Sequence, residues 1–225
     1  MYMNDATALE VRDLGLMPYA EALALQSDLV ERRRTSEIPD QLLLLQHPHI
    51  ITLGTGSSRT HVLADEARRR ELEIDLVEAG RGGDVTYHGP GQLVGYPILD
   101  LKPDRKDVHR YLRDLESVLV RTLHQMGIRG ESVPDLTGVW VEGRKIAAIG
   151  VRVSSGWITS HGFALNVSND LSYFDTIVPC GIRDVSVTSI SQELGWKVGV
   201  TELVGRVTQA FSEVFEVPWV PGTFS

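Results

Sequence analysis

Residues 138–167 leave this chain little choice of architecture. Three apolar or alternating runs, at 138–141, 145–153 and 157–167, are separated only by Glu142-Gly143 and by Ser154-Ser155-Gly156. Turns that short join antiparallel strands, whereas a parallel pair needs a crossover of about a dozen residues or more. Shorter strand-like runs precede this block at 41–46, 50–53, 72–78 and 93–101. Helical periodicity appears in three places. Residues 18–34 repeat Ala20, Leu23, Leu25, Leu29 and Val30, and residues 107–126 repeat Val108, Tyr111, Leu112, Leu115, Val118, Leu119 and Leu123. Residues 201–215 open on a Thr cap at Thr201 and repeat Leu203, Val204, Val207, Ala210, Phe211 and Val214. Helices at the front, middle and back around hairpin-linked strands predict an α+β fold. Its central sheet is mainly antiparallel and flanked by helices, without alternating βα units. With no linker-like tract, residues 1–225 read as one domain, with 184–225 as the one smaller C-terminal unit the pattern suggests.

Composition narrows the function. The 225 residues hold one cysteine, Cys180, so neither a disulfide framework nor a CxxC site can form within the chain. The net charge of −8 argues against a general nucleic-acid binder. No apolar run approaches the roughly 18 residues of a membrane span, and the first residues lack a secretory or transit pattern, which predicts a cytoplasmic protein without a membrane partner. The seven histidines show no metal-ligand spacing, and no P-loop, HExxH or GxSxG motif occurs, so neither metal nor cofactor is expected. Gly54-Thr55-Gly56 begins like a dinucleotide fingerprint but lacks its third glycine.

Three stretches carry unusual chemistry. Arg81-Gly82-Gly83-Asp84-Val85-Thr86-Tyr87-His88-Gly89-Pro90-Gly91-Gln92 combines glycines with Arg, Asp, His and Gln. Such a loop either brings backbone close to a ligand or is simply solvated. Gly143-Arg144-Lys145-Ile146-Ala147-Ala148-Ile149-Gly150 places Lys145 at the mouth of an apolar strand, where it is either a desolvated amine or a hairpin-end lysine in water. It runs on to Ser160-His161-Gly162-Phe163-Ala164-Leu165-Asn166. Pro179-Cys180-Gly181-Ile182 sets the lone thiol outside any apolar period, in a loop-like setting; a nucleophilic thiol needs a base nearby.

Taken together, these stretches resemble the lipoyl(octanoyl) transferases, in order and over nearly the whole chain. The resemblance implies a biotin/lipoate protein ligase-like fold and an acyl transfer that uses neither ATP nor metal. Its donor would be octanoyl-acyl carrier protein. Its acceptors would be lysines on the lipoyl domains of 2-oxoacid dehydrogenase complexes and on the glycine cleavage H protein. It places the nucleophile on Cys180 and its partner on Lys145. The acyl site falls on Arg81, Gly82, Gly83, Asp84, Val85, Thr86, Tyr87 and His88, with Ala148, Ile149 and Gly150, and His161, Gly162 and Phe163. Small residues at 147–150 and 162 suit a groove for an alkyl chain, and the Gly82-Gly83 backbone and His88 suit its carbonyl end. Three rival classes remain open: an ATP-dependent lipoate or biotin ligase, a thiol acyl-hydrolase using Cys180 with His161 or His88, and a non-catalytic acyl-carrier-binding module. Basic clusters at Arg32-Arg33-Arg34, Arg68-Arg69-Arg70 and Lys102, Arg105, Lys106, Arg110 are the candidate docking sites for an acidic carrier.

Overall fold

A computed structural model describes residues 8–178 and 186–222. An eight-stranded sheet runs in the order β11-β1-β2-β6-β10-β9-β8-β7. Its middle is the predicted antiparallel block: β6 (Gln92–Ile98), β10 (Thr159–Asn166), β9 (Arg144–Val153) and β8 (Leu136–Val141), with short β7 (Glu131–Val133) at one edge. Toward the other edge the pairing changes. β1 (Leu9–Leu16) lies parallel to β2 (Gln41–Gln46), because α1 (Tyr19–Arg34) carries the chain back between them. β11 (Trp219–Pro221) then adds parallel to β1. A second sheet is built from β4 (Asp75–Glu78), β3 (Ile50–Leu53) and β5 (Thr86–His88). The α+β expectation holds, with a mainly antiparallel sheet between helices.

Burial on both faces explains the unbroken leucines of β2. Leu42 and Leu44 join a core with Tyr111, Leu115, Val118 and Leu119 of α3 (Val108–Gln125) and with Leu203, Val207 and Phe211 of α5 (Thr201–Phe215). Leu43 and Leu45 face the opposite way, against Ala22 and Leu29 of α1. A strand buried on both sides needs no alternation. The sheet is thus sandwiched, α3 and α5 on one side and α1 on the other, and Ile190 of α4 (Ile190–Leu194) shares the α3–α5 core.

Several local expectations change. The buried stripe of α1 is Tyr19, Ala22, Gln26 and Leu29, rotated from the predicted one, and Ala20 is exposed. The apolar count misled there because two of the buried positions are occupied by Tyr and Gln. Thr201 does not cap α5; Val200 stands at the cap, and the Glu202 carboxylate accepts the Gly199 N–H at 2.7 Å. Of the predicted strand 72–78 only Asp75–Glu78 pairs, since Leu72 caps α2 (Glu66–Glu71), a helix started by the Asp65 side chain accepting the Arg68 N–H. Of the run at 93–101, β6 ends at Ile98, and the chain goes on pairing through an Asp100–Ile158 bridge and the Leu101 N–H to the Trp157 carbonyl at 3.0 Å.

Candidate active site

A β-bulge decides which way Lys145 points. Opposite Val139–Trp140, β9 carries one extra residue: Val139 pairs with Ala147, but Trp140 pairs with Lys145. Ile146 and Ala147 consequently both enter the α3 core, at 0% and 1% exposure. Side-chain parity then shifts by one, as a bulge requires. Lys145 emerges on the opposite face, alongside Ala148 and Gly150. Ala147, expected in the groove, is therefore a core residue.

On that face lies a cavity of about 360 Å³. Ala148, Ile149 and Gly150 of β9 and Gly162, Phe163 and Ala164 of β10 form its apolar wall. Gly150 and Gly162 have no room for a side chain. A Cβ on Gly162 would stand 2.1 Å from the Gly95 carbonyl oxygen, and one on Gly150 would meet the Gly82 oxygen at 2.9 Å. Tyr19, Tyr96, His161 and Arg81 stand toward the Gly150 end, and Lys145, Trp140, Thr137 and Asn166 toward the other. The Lys145 ammonium sits 4.7 Å from the centre of the Trp140 ring and donates to the Thr137 carbonyl at 3.4 Å.

Of the loop read from sequence, Arg81, Gly83, Asp84, Val85, Thr86 and His88 line the cavity; Gly82 and Tyr87 do not. The Gly82 N–H is spent on the Val151 carbonyl at 2.9 Å, and the Gly83 carbonyl accepts the Gly56 N–H at 3.1 Å. The Gly82 N–H is thus spent on anchoring the loop rather than offered to a ligand, while Gly83 lines the cavity. Tyr87 is fully buried away from the cavity, its hydroxyl 2.7 Å from His49 Nδ1 and its ring stacked on Tyr173. Asp84 meets His61 at 2.7 Å. Arg81 donates to the carbonyl and hydroxyl oxygens of Thr52, both at 2.8 Å, which ties the loop to β3. Cys180 lies outside the described residues. The described chain that follows it reaches the site: Ser186 accepts the Lys145 N–H at 2.9 Å, and the Thr188 N–H returns to the Lys145 carbonyl at 3.0 Å.

The imidazoles in and behind the polar wall are held neutral. Burial pushes His88 down to about 3, assisted by His47 and Arg81 nearby. Burial likewise pushes His161 down to about 4, with Arg81 and Arg152 adding to it, and His47 to about 4. Protonating a buried imidazole beside a guanidinium is unfavourable on both counts. His47 Nδ1 donates to the Met17 carbonyl at 2.7 Å, so its Nε2 accepts from the Tyr96 hydroxyl at 2.8 Å. His88 Nδ1 donates to Gln92 Oε1 at 2.8 Å. Gln92 Nε2 donates to Asn166 Oδ1, and Asn166 Nδ2 to the Thr188 carbonyl, both at 3.0 Å. This chain of bonds runs from the glycine-rich loop to the backbone beside Lys145.

Tyr19, Tyr96, Thr137, Trp140 and Asn166 are among the lining residues missed from sequence, and so was Gln26, which supports the wall from behind. Gln26 Oε1 accepts the His161 N–H at 2.8 Å, holding that residue at φ 56. A buried glutamine in phase with Ala22 and Leu29 was the available signal. The basic clusters are largely neutralised. Arg32, Arg33 and Arg34 pair with Glu37, Asp40 and Glu31; Arg68 and Arg70 with Glu71 and Glu66; Arg105 with Asp114.

Fold and site together define an α+β enzyme domain with an apolar slot floored by main chain and a buried lysine at one end. The lipoyl protein ligase A/B catalytic domain model matches residues 18–212, and the chain belongs to that family. An octanoyltransferase of Rubrobacter xylanophilus is 53% identical over 213 residues, 94% of this chain and 96% of its own. One of Solibacter usitatus is 50% identical over 212 residues, covering 94% and 95%. A bipartite lipoate protein ligase from Thermoplasma acidophilum, at 16% identity and a TM-score of 0.76, shares the fold over 97% of this chain and 88% of its own.

Proposed function

We propose that this protein takes an octanoyl group from acyl carrier protein and delivers it to a lysine of a lipoyl domain, through a thioester on Cys180. It is an acyltransferase serving protein lipoylation, as its octanoyltransferase relatives are named. The observation that carries the finer reading is the cavity itself, with Lys145 buried at one end of a wall made by Ala148, Gly150 and Gly162. An octanoyl tail buried there gains roughly 5 kcal/mol at about 0.8 kcal/mol per CH₂.

In the first step Lys145 takes the proton of the Cys180 thiol, the thiolate sulfur bonds to the thioester carbon, and the pantetheine sulfur leaves with that proton from Lys145. One thioester replaces another, so the step is nearly balanced. The acceptor amine then bonds to the same carbon, Lys145 removes its proton, and the Cys180 sulfur departs. The product is an amide, which drives the sequence without ATP and gives ping-pong kinetics. The acceptors are the lipoyl domains of 2-oxoacid dehydrogenases and the glycine cleavage H protein, and the setting is the cytoplasm.

Intact mass spectrometry tests this. Mixing with octanoyl-acyl carrier protein yields protein heavier by one octanoyl group, located on Cys180 and discharged by an apo lipoyl domain. Adduct formation only with free octanoate and ATP would make it a ligase, and release of octanoate without an acceptor would make it a hydrolase.

A further inference from the structure

Among the described residues Glu116 is the only buried carboxylate, and it sits in α3 at 0% exposure. Leu115, Val118 and Leu119 around it pack into the core. Exchanging a buried ion pair for apolar side chains of similar size is often neutral or stabilising, so stability alone does not call for a carboxylate there. Both of its oxygens are engaged. Oε2 accepts from Arg113, one turn earlier, at 2.5 Å, and Oε1 accepts the Gly138 N–H of β8 at 3.0 Å. That N–H belongs to the same peptide group as the Thr137 carbonyl, which accepts from Lys145 Nζ at 3.4 Å. The peptide is trans, so its N–H and C=O point in opposite directions. Glu116 thus grips the peptide from the α3 side, and Lys145 meets it from the cavity side. Gly138 has φ 123, and a Cβ there would stand 2.6 Å from the Ala147 oxygen and 3.5 Å from Lys145 Cε, so strand and lysine stem both crowd the position. Trp140, two residues on, supplies the ring beneath the ammonium at 4.7 Å.

We propose that Glu116 is a positioning residue for the transfer reaction, holding the Thr137–Gly138 peptide so that its carbonyl fixes the Lys145 amine in the cavity. The proposal rests on the acyl-transfer reading above, in which Lys145 carries the protons of both steps. Glu116 touches neither substrate nor reacting atoms and acts only through the peptide. Without its bond the Gly138 N–H is left unpaired on the buried side, which is unfavourable enough to turn the peptide toward another acceptor. The Thr137 carbonyl turns with it, away from the ammonium. Glycine makes that rotation easy, because no Cβ confines its backbone to one conformation. Proton transfer depends steeply on where the base stands, and a displacement of about 1 Å can cost on the order of 100-fold in rate. A buried carboxylate that stability does not require is therefore explained by the lysine it holds from behind.

The test separates the bond from the charge and from stability. Glu116→Gln keeps an oxygen for the Gly138 N–H. Glu116→Met has similar length and no such acceptor. It is made alone and together with Arg113→Met, since exchanging both members of a buried pair is tolerated where removing one partner is not. Arg113→Met alone strips the ion pair and leaves the Gly138 bond, which makes it the control for stability. Octanoyl loading of Cys180 and its discharge to an apo lipoyl domain are followed in single turnover, together with the Kd for octanoyl-acyl carrier protein and the thermal midpoint. Glu116→Met and the double variant are expected to lose about 100-fold in both steps at the parent Kd. Glu116→Gln recovers most of that loss, and Arg113→Met lowers the midpoint at parent rates. Parent rates in the double variant overturn the proposal, and that variant decides if Glu116→Met alone does not fold. Arg113→Met as slow as Glu116→Met overturns it too, by marking a structural role. So does Glu116→Gln as slow as Glu116→Met, which puts the effect in the charge rather than the bond. A parent protein that forms no octanoyl adduct on Cys180 fails the acyl-transfer reading. A parent that forms it, beside a double variant of equal rate, fails the positioning role alone.

Discussion

Lys145 and Ala148 face the same cavity although they stand an odd number of residues apart on one strand. Only the extra residue of β9, opposite Val139–Trp140, permits it. In a regular strand Lys145 would share a face with Ala147 and point into the α3 core.

Deleting Ile146 removes that extra residue. Lys145 and Ala148 then stand two residues apart, so a regular β8–β9 ladder keeps both on the cavity face; the expected result is retained octanoyl transfer with lower stability, because one fully buried side chain of the α3 core is lost. Ile146→Val keeps the bulge and only shortens a fully buried side chain, for about 0.5–1.5 kcal/mol of stability and parent-like turnover. Transfer assays and urea unfolding on both variants check this; a folded but inactive deletion variant would show that the bulge does more than set parity.

The lysine itself is the second target. Lys145→Met keeps an unbranched chain over the Trp140 ring and removes the proton carrier. Transfer is expected to fall by about 10²–10⁴-fold. Alkylation of Cys180 should change with it, because a cation beside a thiol favours the thiolate. A Lys145→Met protein with the parent alkylation profile and parent turnover contradicts the role assigned to the amine.

Chain-length preference follows from which wall residues have space. Ala148 lines the cavity, and Ala148→Leu fills part of it without touching the main chain. Octanoyl transfer should drop by roughly tenfold per two methylenes displaced, while hexanoyl transfer holds, at about 0.8 kcal/mol per CH₂. Gly162→Ala behaves differently. Its Cβ would stand 2.1 Å from a backbone oxygen, so the β6–β10 pair must spread, for a stability loss of about 1–3 kcal/mol or more. Competition between hexanoyl and octanoyl donors separates the first effect, and denaturant unfolding reads the second.

Acid should unfold the protein through its buried imidazoles. His47, His88 and His161 are held below the ordinary 6.5, at about 4, 3 and 4. Below pH 6.5 the unfolded chain therefore binds protons that the folded chain refuses. Stability is complete above 6.5 and declines as pH falls through 6.5 toward 4, with a slope approaching about 1.4 kcal/mol per pH unit for each histidine. Urea midpoints between pH 7 and pH 4.5 measure the slope, and His161→Gln should lower it. An unchanged slope in that variant would mean His161 is not one of the groups responsible.

Legibility from sequence divided along a physical line. The central hairpins, α3 and α5 were readable because short turns and a full apolar period are local signals. The Arg81–His88 loop was visible as chemistry, since glycines beside Arg, Asp and His are conspicuous wherever they fold. What composition could not tell was which donors tertiary contacts would consume: the Gly82 N–H is spent on Val151, and the Tyr87 hydroxyl on His49. Trp140 and Tyr19 read as ordinary core aromatics, because their role depends on facing the one side of the sheet that holds a cavity. The bulge is equally silent, as Lys-Ile-Ala-Ala would serve a regular strand just as well. β1 escaped because its parallel partner is reached only through α1.

The glycine floor of the cavity has a consequence for redesign. Where Gly150 and Gly162 bring strand backbone directly against neighbouring backbone, no side chain exists to trim. The slot cannot be deepened from below by substitution. An engineer seeking longer acyl groups must work from the roof, at Tyr19 of α1. The same limit makes the slot's depth a property of the sheet, insulated from most single-residue change.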